Sequence, residues 1–517
     1  MFFYLTLALL IFLYIFIKRH YNQWQRQGIA AAESVIPFSS LKAVFRKEKT
    51  MGLAITDIYV RFSESVVGIM LAFKPAILIR DAEMARQILT KDFDYFHDRG
   101  VYVNEKRDPL SANLFSLKGH SWRSMRAKLS PSFSSGKLKA MFGTVDEVGN
   151  QMVEYILEQF EGDQRKVLVD IKDITTTYAI DIIGSVIFGL DINSFENPHN
   201  EFRQISDRIF KTNQTHILHR IRAIMSFMCP PIAQFLALFG TLDPITADLR
   251  EIVRRTIEYR EKHGVARKDI LQLLLQLRNS GEVKEEDDTT SWQVDAVAEN
   301  QKTMSIDTIT ANLFLFYIAG SETTSSTIAY TLYELAMYPE ILQRVQAEVL
   351  RCLERNNLKP WDNLSYDILQ EMPYLDLCIM ETTRKYPGLP VWNRECTNDY
   401  RLSRNDFVIK KGTAIIIPIM GIGRDEKYFP QPMDYKPERY AEEKDRNNMT
   451  AFMPFGDGPR YCIAKRMGII NVKAALVKIL ANFNIETQPR KEIEFKFHST
   501  PVLMPKEGLK ITLVKKY

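Results

Sequence analysis

The stretch Phe455-Gly456-Asp457-Gly458-Pro459-Arg460-Tyr461-Cys462 is a glycine-rich loop that ends on a cysteine. Gly456 and Gly458 allow tight or left-handed turns that a side chain would block, and Pro459 stiffens the approach to Arg460. From Ile463 the run Ile-Ala-Lys-Arg-Met-Gly-Ile-Ile-Asn-Val-Lys-Ala-Ala-Leu-Val-Lys-Ile-Leu predicts a helix. Cys462 then stands at a helix N-terminus, where amide dipoles favour a thiolate, and a thiolate can ligate iron. By itself the stretch reads equally well as a buried structural cysteine beside a glycine turn.

A second unusual stretch, Ala319-Gly320-Ser321-Glu322-Thr323-Thr324, interrupts an apolar helix that begins near Ile306 and passes through Leu313, Phe314 and Phe316. Gly320 weakens the helical ladder and leaves room for a ligand, while Glu322 and Thr323 can relay protons to something held in the gap. Alone, these side chains also fit a helix turn whose hydroxyls back-bond to carbonyls. Glu381 and Arg384 stand at i and i+3 on a segment from about Leu375 to Lys385 and share one face. Trp122 and Arg126, four apart, share another. Taken singly, each reads as an ordinary surface or capping residue.

Phe-x-x-Gly-x-Arg-x-Cys arises by chance in roughly one chain of this length in a thousand. Residues 455–462 resemble the haem loop of the cytochromes P450, with one departure: the family usually has Gly two residues after the cysteine, where this chain has Ala464. Separate motifs from Trp122 to His498-Ser499-Thr500-Pro501 carry the resemblance over nearly the whole chain. It implies that Cys462 ligates the iron of haem b, with Phe455, Ala319 and Gly320 against the cofactor. Trp122, Arg126, Arg394 and Arg460 would hold its propionates, since a guanidinium matches a carboxylate bidentately and an indole N–H adds a donor. Thr323 would position a water that delivers protons during dioxygen activation, with Glu322 behind it. In Pro437-Glu438-Arg439-Tyr440, Arg439 would join Glu381 and Arg384 in a buried charge cluster that braces the cysteine loop; Tyr440 replaces the family's usual Phe.

The implied reaction is insertion of one oxygen atom from dioxygen into a lipophilic substrate. Electrons would come from NADPH through a flavoprotein, NADPH-cytochrome P450 reductase, with cytochrome b5 as a second candidate donor. Arg123, Lys128, Lys137, Lys139, Lys465 and Arg466 would form the docking face for that acidic partner. By the same analogy the substrate pocket comprises Phe115, Phe314, Phe316, Leu389, Val391, Val502 and Leu503, which specify size and apolarity. Ser130-Pro131-Ser132-Phe133-Ser134-Ser135-Gly136-Lys137-Leu138-Lys139 looks like the branch holding insect detoxification enzymes and their vertebrate drug-oxidising relatives. A haem-thiolate isomerase or dehydratase, and a non-catalytic haem or lipid binder, are the alternatives.

These motifs need a scaffold. Motifs from 122 to 462 that converge on one cofactor point to one domain, although 517 residues allow about three. The expected fold is mainly α with small β-sheets: residues 1–20 as a transmembrane anchor, 21–50 as a linker and 51–517 as the haem domain. Phe2 to Ile17 carries no charge and is followed by Lys18-Arg19-His20, which by the positive-inside rule leaves the domain cytosolic at the endoplasmic reticulum membrane. A net charge of +5 from 68 basic and 63 acidic residues, without a long basic run, gives nucleic acid no support as a partner. Five cysteines without paired spacing fit a reducing compartment.

Expected elements are strands at Val66–Phe73 and Pro75–Arg80, a helix capped by Asp81 and running to Leu89, and a helix capped by Asp269 and stopped at Ser280-Gly281. A polar loop is expected at 282–303, with strands at Ile415–Ile417 and Phe495–Phe497. Between Ile217 and Phe239 an apolar stretch reads either as core or as a surface that dips into the membrane.

Overall fold

Ser305 accepts a hydrogen bond from the Thr308 amide at 3.1 Å and starts a helix of 32 residues, Ile306–Met337. Most of its side chains beyond Ile309 are buried, the mark of a helix enclosed on all sides. It packs against Ile171–Ile182, Thr246–His263, Pro373–Lys385 and Lys465–Asn482, and these helices enclose the larger of two apolar cores. The computed structural model describes residues 1–36, 39–46, 48–209, 217–239, 245–283, 303–402, 407–441, 446–486, 502–505 and 508–517.

The second core lies under a four-stranded sheet of order β1-β2-β7-β4, formed by β1 (Val66–Leu71), β2 (Lys74–Ile79), β4 (Trp392–Glu395) and β7 (Ala414–Ile417). β1 and β2 are antiparallel, β2 and β7 parallel, and β4 runs antiparallel to β7. A three-stranded sheet joins β3 (Lys166–Asp170), β9 (Lys510–Lys515) and β8 (Phe483–Glu486) in that order; β5 (Tyr400–Arg401) and β6 (Val408–Ile409) make a ribbon. Pro75 does not separate β1 from β2 as expected: it lies inside β2 opposite Met70, and the chain turns at Ala72, whose φ is 52°.

Asp81 caps Ala82–Leu89 by accepting from the Met84 amide at 2.9 Å, and Asp269 caps Ile270–Ser280 through the Gln272 amide at 2.8 Å. Gly281 closes the second helix at φ 86°, as its position suggested. Strand Phe495–Phe497 and most of the loop expected at 282–303 lie outside the described residues.

Phe2–Tyr21 is one helix with mean hydropathy 1.9 over its best window, none of which is buried. It is long and apolar enough to cross a membrane. The segment expected as a linker is not a free tether: Tyr21, Trp24, Leu41 and Val44 are buried in the second core. Residues 217–239 are part core and part exposed apolar surface. Helices Ile217–Met228 and Pro230–Leu236 bury Met225, Met228 and Ala233, yet leave Ile221 and Phe235 exposed, as are Leu238 and Phe239 in the turn Ala237–Phe239 that follows.

Candidate active site

Gly456 and Gly458 have φ of 77° and 65°, the left-handed region that a side chain disfavours, and a Cβ on Gly458 would collide with the Leu89 carbonyl. Asp457 bonds the Gly458 amide at 2.7 Å and pairs with Arg86 at 2.8 Å. The loop closes where the Cys462 N–H donates to the Phe455 carbonyl at 2.9 Å. The following helix starts at Lys465, two residues later than the sequence suggested, with Ala464 as its cap. Cys462 therefore sits ahead of the helix. Burial pushes its thiol above the ordinary value; the Ala464 amide, Arg126, Arg99 and Lys465 oppose that shift. Those opposing donors and charges favour a thiolate.

Cys462 borders a cavity with Phe455, Ala319, Gly320, Thr323, Trp122 and Arg126. Residues separated by 340 positions in the chain thus meet as expected. Thr323 Oγ1 donates to the Ala319 carbonyl at 2.5 Å, an ordinary back-bond, while its side chain still faces the cavity. Gly320 borders the cavity beside Ile183, whose side chain a Cβ at position 320 would strike. Glu322 does not border the cavity. Its carboxylate turns toward Ile171–Ile182, where Lys172 Nζ lies 3.0 Å from Oε1 and Ser326 donates to Oε1 at 2.8 Å. Of the two residues expected to pass protons to a group in the gap, Thr323 therefore faces the cavity and Glu322 does not.

On another wall, Arg460 donates to the carbonyls of Phe115 and Leu117 at 3.1 and 2.7 Å, and its guanidinium carbon lies 4.1 Å from the Trp122 ring. Arg126 donates to the Tyr461 carbonyl at 3.0 Å. A further arginine, Arg99, was not singled out in the sequence; it borders the cavity and lies 4.2 Å from the Phe115 ring. Arg394 stands behind these groups, is 1% exposed and does not itself line the cavity.

Asp98, 3.7 Å from Arg460, is the one carboxylate paired with any of these four arginines among the described residues. Burial and then mutual repulsion lower the Arg460 value to about 9, and burial with Arg126 lowers Arg99 to about 10. Burial, Arg99 and Arg460 drive Arg394 well down. Arg99 Nε and Nη1, Arg394 Nε and Arg460 Nε are buried without a hydrogen-bond partner. Buried cations with open donors fit a ligand that carries carboxylates. One thiol facing the same cavity fits a single soft metal ligand. The site therefore suits an iron porphyrin with two propionates.

Behind the loop, Arg384 grips Glu381 with Nε at 2.8 Å and Nη2 at 2.7 Å, Arg439 Nε reaches Glu381 at 3.0 Å, and all three are buried. Arg384 also donates to the Gly423 carbonyl at 2.6 Å, tying the cluster to the chain that leads into the loop.

The family model for cytochrome P450 matches residues 35–513. The chain belongs to the cytochrome P450 family. Cytochrome P450 6d3 of Musca domestica is 57% identical over 513 residues, covering 99% of this chain and 98% of the relative. Probable cytochrome P450 6d2 of Drosophila melanogaster is 51% identical over 512 residues, 99% of each chain. Cytochrome P450 6k1 of Blattella germanica is 33% identical over 516 residues, 98% of this chain and 96% of the relative. The present chain is a haem-thiolate monooxygenase of microsomal membranes that uses haem b and NADPH electrons delivered by a reductase.

In this P450, Phe115, Phe316 and Leu389 border the cavity as expected, together with Leu114, Phe133 and Leu315, which the sequence reading missed. Phe314, Val391, Val502 and Leu503 do not border it. Helix positions two apart point about 200° away from each other, so Phe314 and Phe316 cannot share a face; Phe314 packs in the larger core. Val391 belongs to the second core, Val502 is buried, and the Leu503 carbonyl accepts from Tyr330 at 3.0 Å with its side chain 1% exposed. Lys137 is likewise removed from the P450's basic face, because it is buried on the inner side of Ser135–Glu158. Arg123, Lys139, Lys465 and Arg466 are exposed and Lys128 is half-buried.

Proposed function

We propose that this P450 oxidises lipophilic, ring-bearing compounds, plant toxins and insecticides among them, in a chamber walled by Phe115, Phe133 and Phe316. The observation that carries this reading is that the three rings, Thr323 and Cys462 border one cavity. Phe133 and Phe316 meet edge to face at 5.3 Å, an arrangement that presents aromatic surface to a flat guest.

Haem bound at Cys462 supplies the activation of dioxygen, one atom of which enters the substrate while the other leaves as water. The protein's part is to orient and to manage protons. Trp122, Arg99, Arg126 and Arg460 hold the propionates, with Arg394 adding positive potential behind them. Leu114, Ile183 and Leu389 exclude water. Thr323 Oγ1 commits its proton to Ala319, so its lone pairs accept from a water and turn that water's second proton into the chamber. Glu322, held by Lys172 and Ser326 off the cavity, is a positioning residue that fixes the helix turn carrying Thr323. Glu381, Arg384 and Arg439 are positioning residues for the loop.

Arg123, Lys128, Lys139, Lys465 and Arg466 form the face that meets the reductase, and cytochrome b5 docks on the same charges. Ile221, Phe235, Leu238 and Phe239 rest on lipid. A spectral binding screen across steroids, fatty acids, plant toxins and insecticides, with NADPH and dioxygen consumption measured alongside, tests the reading. Expected are spectral shifts with ring-bearing compounds and product formed with both co-substrates consumed. Conversion that needs neither NADPH nor dioxygen would assign an isomerase or dehydratase, and spectral binding without conversion a carrier.

A further inference from the structure

The chain leaving the membrane helix does not run free. His20 Nε2 lies 2.8 Å from the Phe73 carbonyl, and the buried Tyr21 meets the Phe73 ring edge-on at 6.0 Å. Trp24, 4% exposed, donates from its indole to the Ile69 carbonyl at 3.0 Å. Its ring lies so close to Gly68 that a Cβ there would collide with it, which accounts for a glycine inside β1. The edge of β1 away from β2 is then paired by the same segment: Gly68 donates to the Ala30 carbonyl at 2.8 Å and Ala32 to the Gly68 carbonyl at 2.9 Å. Ser40 continues the contact, accepting from the Met70 amide at 3.1 Å.

Between the membrane helix and Trp24 there is little slack. Phe2–Tyr21 and Gln23–Arg26 are both helical, with one residue between them. A flexible tether of the expected 30 residues would let its ends wander by about 30 Å. Tyr21 also shares a core with Met225, Met228 and Cys229, so the exit of the membrane helix adjoins the hairpin whose outer side exposes Phe235, Leu238 and Phe239.

We propose that the membrane helix is clamped to β1 through Trp24, Gly68 and the Ala30–Ala32 segment, so that the catalytic domain has one fixed pose on a lipid bilayer. The exposed side chains of 217–239 then meet the bilayer at a set depth, a part of the proposal that rests on their assignment to lipid. The clamp itself does not depend on that assignment. The groove lined by Phe73, Pro75, Tyr102, Pro230 and Pro231 opens beside the clamp.

The test uses full-length holoprotein in phosphatidylcholine–phosphatidylethanolamine vesicles. Hydrogen exchange at the Ala32 and Gly68 amides should be slow in the wild type and about tenfold faster or more in Trp24→Ala and, separately, in Gly68→Ala. Neither residue borders the haem cavity, so the reduced carbon monoxide complex should keep its 450 nm band per mole of protein. Haem orientation, read as residual anisotropy after photolysis of the carbon monoxide complex, should fall in Trp24→Ala. Wild-type amides exchanging like an unstructured peptide, or anisotropy unchanged by Trp24→Ala, overturns the clamp. A fluorophore at Leu238→Cys that lipid-borne quenchers do not reach overturns the lipid contact while leaving the clamp standing.

Discussion

Lys172 Nζ lies 3.0 Å from Glu322 Oε1, with the two side chains only 8% and 2% exposed. Lys172 also donates to Ser325 and Thr176 at 3.0 and 2.8 Å, so both charges have their hydrogen bonds met. Removing one partner from such a pair leaves an uncompensated buried charge and costs about 3–5 kcal/mol. Lys172→Met should therefore lower the unfolding temperature of the holoprotein sharply, as should Glu322→Gln. The double variant should recover most of that stability without recovering coupling of NADPH use to product. Thermal loss of the 450 nm band, followed in a double-mutant cycle, checks the first point; additive losses would show that the pair is not coupled.

The arginine group makes a prediction of opposite signs. The values of Arg99 and Arg460 are lowered in the folded chain, to about 10 and about 9, by burial and neighbouring cations. The sign follows from linkage: the cofactor-free fold carries a penalty that is fully present below about pH 9 and fades as pH rises toward the ordinary arginine value. Arg99→Leu should stabilise the cofactor-free protein at pH 7, yet speed haem loss about tenfold or more, since a charge-assisted bond to a carboxylate is worth ~1.5–3 kcal/mol. Calorimetry of the apoprotein and haem transfer to an acceptor globin give the two numbers. Slower haem loss in the variant would remove Arg99 from the propionate set.

What the sequence could and could not disclose follows from the range of each signal. Cys462, Thr323, Trp122, Arg126 and Arg460 lie in stretches whose local chemistry is unusual, and the structure brings them to one cavity. Arg99 sits in Phe96-His97-Asp98-Arg99-Gly100, where nothing local separates a buried arginine from a solvated one; only the meeting with Arg394 and Arg460 does so. Val391, Val502 and Leu503 are apolar in segments near the chamber, and apolarity alone does not tell a chamber wall from core. The packed segment 21–50 read as a linker because its contacts are made to β1 by sparse residues, Trp24 and Ala30–Ala32, and not by a periodic face.

Asp181 lies two residues before the turn Ile183–Ile187, which lends Ile183 and Ile187 to the cavity wall. Burial raises its value to about 6, against the pull of Ser194, whose amide donates to it at 2.7 Å, and of Arg203. Between about pH 4 and 6 the folded protein thus keeps a proton that the unfolded chain has released. Stability falls as pH rises through that window, and the penalty is complete above it. Asp181→Asn should add about 1–3 kcal/mol at pH 7 and flatten the profile between pH 4 and 6. Unfolding temperatures at pH 5 and 7.5 decide this; parallel profiles for the two proteins would sink the assignment.

Thr323 is where the geometry permits two readings, and one substitution separates them. Its hydroxyl back-bonds to Ala319, which any helical threonine can do, but the side chain also faces the chamber that holds Cys462. If it only packs, Thr323→Ala should keep the wild-type ratio of product to NADPH consumed, or lose haem through general destabilisation. If its oxygen orients the proton-bearing water, the alanine variant should hold haem normally, since the arginines and Cys462 are untouched. Electron use and product formation should then part company. NADPH would still be consumed, product yield would fall by about 10²-fold or more, the scale of a lost general acid–base contribution, and hydrogen peroxide would make up the electron balance. Thr323→Ser keeps the oxygen and should restore coupling. Product, NADPH, peroxide and haem content must be measured in one preparation; full haem with an unchanged product ratio in Thr323→Ala would refute the proton-handling role.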